Sequence, residues 1–174
     1  SAYGGLNFMQ FSKTGTHVRT LNTSPAWVDV FQSHSLLLWT GMVRDANEIL
    51  SVQNKNFKDG GNGEIGIQMA NLARELHAEM IGGIEMKRVG EFLEEGWRLK
   101  QFMARGITNA KISNWHEAAM ESGAYGGKLL GAGGGGFLFF VAPPEKHDEI
   151  IRKTGLRRID FQMEARGSEV IYEG

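Results

Sequence analysis

The chain has 174 residues, 41% of them hydrophobic and 22% charged, which fits one domain able to bury roughly two thirds of its unfolded surface. A formal net charge of −1 leaves no electrostatic footprint for nucleic acid or an anionic membrane, so neither is expected as a partner. The lack of cysteine excludes disulfides, thiolate metal sites and a cysteine nucleophile, and agrees with a reducing cytoplasm.

Residues 5–11 and 16–21 read as a hairpin with Ser12-Lys13-Thr14-Gly15 at its turn. Residues 35–40 are expected as a short buried strand and 45–54 as a helix, followed by a polar loop from Lys58 to Gly63. Ile65, Met69, Leu72, Leu76 and Met80 recur at three-to-four spacing and predict a long helix that Gly82-Gly83 ends, with Glu75, His77 and Glu79 on its solvated side. Met86, Val89, Leu93, Trp97 and Phe102 mark a second helix, with Trp97 and Phe102 expected in the core. Gly90 and Gly96 lie inside it, each costing about 1 kcal/mol against alanine, and would let another helix pack close.

Residues 109–122 supply a further helix, stopped at Gly123. His116-Glu117 opens like a zinc-protease helix, but the second histidine is missing and no metal site is expected there. A helix over 144–154 and strands over 157–163 and 168–172 close the chain. From residue 35 onward the order is strand, several helices, two strands, helix, two strands. That order predicts an α+β fold, an antiparallel sheet with helices on one face.

The segment from Gly126 to Ala142, GGKLLGAGGGGFLFFVA, holds four consecutive glycines, Gly133, Gly134, Gly135 and Gly136. Gly131, Gly133 and Gly136 satisfy G-x-G-x-x-G, but a strand follows them where a dinucleotide fold needs a helix. The phosphate loop of nucleoside triphosphatases is excluded too, because Phe137 and Leu138 stand where Lys and Ser or Thr are required. What remains is a strand, a glycine loop and a second strand. Such a loop admits a close ligand, and successive N–H groups can form a nest for phosphate oxygens; a hairpin kept tight for packing alone is the alternative. Lys128, in the incoming strand, could neutralise a phosphate, although alternation would also put a solvated lysine there. Arg44, beside Gly41, has the forked geometry that binds phosphate bidentately, with pairing to Asp45 or Glu48 as the ordinary alternative.

The wording KLLGAGGGGFLFF resembles the third signature motif of the GHMP small-molecule kinases, the group of galactokinase, homoserine kinase and mevalonate kinase. With Thr40-Gly41-Met42-Val43-Arg44 and Ala2-Tyr3-Gly4-Gly5-Leu6-Asn7-Phe8, the chain looks most like the D-glycero-D-manno-heptose phosphate kinases among them. The resemblance spans nearly the whole chain, and the glycine motif is its part specific to the superfamily. It implies a ferredoxin-like C-terminal domain over 25–174, preceded by residues 1–24 as the trailing hairpin of an N-terminal domain. It implies ATP and Mg2+, and transfer of a phosphoryl group to a hydroxyl of a heptose phosphate or related sugar in the cytoplasm. Substrate contacts would fall to Arg44, Lys128, Thr40 and Gly41, while Gly133, Gly134, Gly135 and Gly136 would lie near the nucleotide phosphates.

The family's serine-rich phosphate loop does not occur in this sequence, and its acidic residue would fall before Ser1. No catalytic or metal residue is therefore assigned within the chain. Most of the ATP and Mg2+ site would come from an N-terminal domain, in cis or in trans, and the chain alone is expected to be inactive. Replacing Gly134 with Val is expected to abolish activity in a reconstituted kinase while sparing the fold. Where the family often has Tyr before Thr-Gly, this chain has Trp39, so the sugar is left open. The alternative is a non-catalytic module that binds a sugar phosphate, another subunit or a second copy of itself through the same surface.

Overall fold

The computed structural model describes residues 3–43, 46–170 and 172, with Ala46 and Glu48 described by backbone alone. Strands β1 (Asn7–Ser12) and β2 (Gly15–Thr20) form a separate two-stranded sheet around a two-residue turn, with Ser12 opposite Gly15. Helix α1 (Pro25–His34) follows, where sequence reading assigned no element. Its start is nonetheless well specified: the Ser24 hydroxyl accepts the Trp27 N–H at 3.2 Å, and Pro25 occupies the first turn.

The main sheet is built from β3 (Ser35–Trp39), β4 (Gly126–Leu129), β5 (Phe137–Val141) and β6 (Arg157–Arg158), in the order β4-β5-β3-β6 with every neighbour antiparallel. Helices α2 (Ala46–Lys58), α3 (Gly63–Gly82), α4 (Met86–Gln101) and α5 (Ala110–Glu121) connect β3 to β4, and a short 3-10 turn plus α6 (His147–Thr154) connect β5 to β6. Each connection skips the strand lying between its two ends. This doubled split βαβ is the ferredoxin-like arrangement that the GHMP resemblance implied, and it fits the α+β order read from the sequence.

Alternation along β3 and β5 turns Leu36, Leu38, Leu138 and Phe140 into a core shared with Trp97, Ile107, Ile112 and Ile150, all of them 2% exposed or less. Phe139 points the other way, where it meets the rings of Phe31 in α1 and Phe161 beyond β6. Among the described residues, no helix is long and apolar enough to cross a membrane.

Several expectations need correcting. Phe102 is 65% exposed, because it caps α4 instead of continuing its buried face. Gly90 admits a strand, not a helix: a Cβ on Gly126 of β4 would stand 1.9 Å from the Gly90 carbonyl oxygen. Gly96 does face α3, but at an ordinary 3.6 Å from Leu72. His77 leaves the solvated side of α3, stacking on Phe8 of β1 at 4.1 Å with Nε2 buried, while Glu75 and Glu79 stay outside and pair with Arg88. The strand expected over 157–163 stops after Arg158, since the Gln32 side chain takes over as partner, donating to the Phe161 carbonyl at 3.0 Å and accepting the Met163 N–H at 3.0 Å. Among the described residues of 168–172 there is no strand, and Val170 and Tyr172 are exposed with no ladder to bury them.

Strand β4 lies at the sheet edge, and α4 and α5 blunt that edge. Glu94 accepts the Gly127 N–H at 3.4 Å, while His116 Nε2 reaches the Gly127 carbonyl at 3.4 Å and Glu94 at 3.0 Å. The N–H and carbonyl of Gly127, which would otherwise invite another strand, are thereby occupied.

Candidate functional site: the glycine loop

The hairpin of β4 and β5 carries the glycines to the end of the sheet where β3 finishes, since Trp39 pairs with Phe137 in register. Segments distant in sequence then hold the loop from two sides. The Gly134 N–H donates to the carbonyl of Ile107, between α4 and α5, at 2.9 Å, and the Gly136 N–H donates to the carbonyl of Met42, just past β3, at 2.8 Å. Thr40 completes the clamp: its N–H at 3.0 Å and its hydroxyl at 2.7 Å both donate to the Gly136 carbonyl.

Packing decides which positions must be glycine. A Cβ on Gly133 would lie 2.8 Å from Ile107 Cα, and one on Gly135 would lie 2.6 Å from the Met42 carbonyl oxygen. Gly135 has no positive φ, so space alone demands glycine there. Gly131 and Gly136 differ: their φ values are +74° and +96°, and a Cβ would meet nothing within 4 Å. They line an open pocket of about 260 Å³ whose walls include Trp39, Met42, Leu130 and Phe137. The Trp39 and Phe137 rings pack 4.8 Å apart beside it.

The donor pattern alternates. Gly134 and Gly136 spend their N–H groups on protein carbonyls, whereas among the described residues those of Gly133 and Gly135 find no acceptor. Two of the four glycines can therefore still donate to an anion, half of the nest a run of free donors would make.

The family model described as GHMP kinases C terminal matches residues 55–155, more than half of the chain and including the loop. The chain belongs to that family. Among curated relatives of this GHMP domain, the D-glycero-alpha-D-manno-heptose 7-phosphate kinase of Campylobacter jejuni is 26% identical over 162 residues, covering 87% of this chain and 45% of that protein. The chain spans less than half the length of the curated relatives it matches. Two solved structures share the fold: an L. major mevalonate kinase in complex with R-mevalonate (TM-score 0.66, 16% identity, 94% of this chain and 51% of that one) and a D-glycero-D-manno-heptose 1-phosphate kinase from B. thetaiotaomicron (TM-score 0.60, 22% identity, 99% and 47%).

In this GHMP domain the structure brings Thr40, Gly41 and the four glycines to one end of the sheet, whereas Lys128 sits further along β4, opposite Phe139 and level with Leu37 in the middle of β3. Arg44 lies outside the described residues. Gly41 is exposed with φ +69° and open space where a Cβ would go, while the Thr40 hydroxyl is committed to shaping the loop. Lys128 is half-buried in β4, and burial holds its ammonium below the usual lysine range. Sequence reading missed Met42 and Ile107, apolar residues whose backbone does the work and which carry no local signal. It also missed Lys100, in the last turn of α4, whose ammonium donates to the Gly131 carbonyl. Burial, helped by the nearby charge of Lys128, pushes Lys100 down to about 8. One signal was available: Lys100 has Gly96 and Trp97 four and three residues before it, whereas Arg98 has Glu94 and Glu95 at the same offsets.

Proposed function

We propose that the chain is the C-terminal part of an ATP-dependent sugar kinase that phosphorylates a hydroxyl of a heptose phosphate or a related sugar. The observation that carries this reading is the loop itself, clamped by Met42, Thr40 and Ile107, with Gly133 and Gly135, whose N–H groups find no acceptor among the described residues, lining one pocket together with Trp39 and Phe137, in a chain of the GHMP family. Phosphoryl transfer depends mainly on positioning and charge neutralisation, which such a cradle supplies. ATP would bring the transferred phosphoryl group, and Mg2+ would offset its charge.

Gly133 and Gly135 would donate to phosphate oxygens, and Lys128 would neutralise a substrate phosphate, with Arg44 in the same role. Because the family's serine-rich phosphate loop does not occur in this sequence, the reading assigns most of the ATP and Mg2+ site to an N-terminal half, along with the acidic group that activates the acceptor hydroxyl. Residues 1–24, as a separate two-stranded sheet, would belong with that half and 25–174 would form the C-terminal domain.

Gly134 makes an unclean test, because Val at φ +75° strains the backbone as well as intruding. Gly136→Ala adds one methyl to open space at the pocket wall, at a cost in backbone strain of about 1 kcal/mol. In a two-domain protein carrying this chain, it is expected to lower kcat/KM at least tenfold, by roughly 1.4 kcal/mol in the transition state, with the melting temperature little changed. Unaltered turnover would overturn the assignment of the loop to the reaction.

A further inference from the structure

We propose that Lys100 and Lys128 together form a phosphate-binding subsite at the foot of the glycine loop, taking a dianionic phosphate monoester. The identity of the ligand molecule rests on the kinase reading above; the subsite itself does not. Lys100 comes from the end of α4 and is tied to the Gly131 carbonyl, the first peptide of the loop. Lys128 comes from β4. The ladder runs on past β4, because the Leu130 N–H donates to the Phe137 carbonyl at 2.8 Å. By the two-residue alternation, Lys128 and Leu130 then share a face, and Leu130 lines the pocket. Neither lysine lines the pocket itself, but one reaches a carbonyl of its wall at Gly131, the other lies two residues along the same strand face from Leu130, and the two are near enough for the charge of Lys128 to act on Lys100.

Ordinary pairing does not explain them. Among the described residues no carboxylate forms an ion pair with either lysine. The acids of α4 are engaged elsewhere: Glu91 with Arg88, Glu94 with His116 and the Gly127 N–H, Glu95 with Arg98. Both lysines are half-buried, and each is pushed down by desolvation, with the charge of Lys128 pressing further on Lys100. Holding two unpaired ammonium groups together is unfavourable until an anion joins them. A phosphate dianion bridging both would remove that repulsion and accept from each, as a charge-assisted hydrogen bond.

Two sources of this chemistry exist, the phosphate already on a sugar and the phosphates of a nucleotide, and separate arms of one titration distinguish them. The chain is titrated with inorganic phosphate, mannose 6-phosphate, mannose and ADP, following the lysine ε-carbon NMR signals in the unmodified protein and binding by calorimetry in Lys100→Gln and Lys128→Gln. The expected result is that inorganic phosphate and mannose 6-phosphate move the Lys100 and Lys128 signals but not that of exposed Lys13, that mannose does not, and that either substitution weakens mannose 6-phosphate about tenfold or more. ADP moving the same two signals in place of mannose 6-phosphate would uphold the subsite and assign it to the nucleotide. Failure of every phosphorylated probe to move them, or equal binding by both variants and the unmodified chain, would overturn it. Absence of kinase turnover in a two-domain protein would remove the kinase reading and leave these binding results standing.

Discussion

Two hairpins in this chain use the same local device, a glycine-bearing turn between short strands, and come to opposite ends. The β1–β2 turn is held by its own residues, with the Ser12 hydroxyl donating to the Gly15 carbonyl at 3.0 Å and accepting the Thr14 N–H at 3.2 Å, and a Cβ on Gly15 would meet nothing. The β4–β5 loop is held by Met42, Thr40 and Ile107, which arrive from other elements, and a Cβ on Gly133 or Gly135 would strike them. Local pairing needs glycine only for its dihedral angles. Long-range clamping needs it for space, and that is the condition under which a backbone can be aimed at a ligand. Glycine number alone therefore distinguishes nothing; the partners of the glycines do.

The largest expected effect tests this contrast directly. Gly135→Ala drives a methyl into the Met42 carbonyl and is expected to cost about 1–3 kcal/mol, read as a drop in the midpoint of urea unfolding. Gly15→Ala must adopt φ +138° but displaces nothing, and is expected to cost about 1 kcal/mol, the lower end for a side chain held at positive φ. Equal costs at the two turns would mean that the loop yields as readily as the exposed hairpin, and the clamp would lose its meaning.

A smaller effect separates the two regions by charge. Lys100 sits at about 8 in the folded chain against an ordinary value of 10.5. Between those values the unfolded chain binds more protons than the folded one, so this lysine makes stability rise with pH through that window. Below pH 8 the fold carries an unfavourable buried charge. Lys100→Met should therefore gain most relative to the unmodified chain near pH 7, and the advantage should shrink as pH rises from 8 to 10.5. The slope of the melting-temperature difference against pH is the readout, with Lys13→Met at the exposed turn as the control for removing one charge. A flat difference would show that Lys100 is solvated as freely as an ordinary surface lysine.

What the sequence disclosed follows the same division between local and long-range determinants. The periodic faces of α3 and α4, the span of α5 from Asn109 and the strand–glycine–strand motif are written in neighbouring residues and were legible, as was the α+β order they compose; its ferredoxin-like form was implied by the GHMP resemblance alone. Helix α1 has an equally local signal in its Ser24 cap and in Pro25 of its first turn. The early end of β6 was not legible, because it depends on a glutamine from α1. Nor was the clamp on the loop, because it is made by the main chain of Met42 and Ile107, and a carbonyl leaves no mark on residue type. Lys128 was legible as a candidate but not as one of a pair; the approach of α4 to β4 that brings Lys100 alongside depends on Gly90 and Gly126 facing each other.

The smallest effect is expected on the exposed hairpin, and its value lies in how it changes with context. Phe11 is 77% exposed, and β1–β2 reach the rest of the chain through the Phe8–His77 stack, the Tyr3–Gly167 bridge and the Gly5 N–H donating to Glu164 at 2.7 Å. In this chain Phe11→Ser should therefore change unfolding free energy by no more than about 0.5 kcal/mol. If residues 1–24 belong with an N-terminal half, that half covers the Phe11 ring, and burying such a ring contributes about 1.5–3 kcal/mol. The same substitution in a two-domain protein should then cost several times more than in the chain alone. An equally small cost in both would leave the hairpin a solvent-facing appendage of the C-terminal domain and place the domain junction elsewhere.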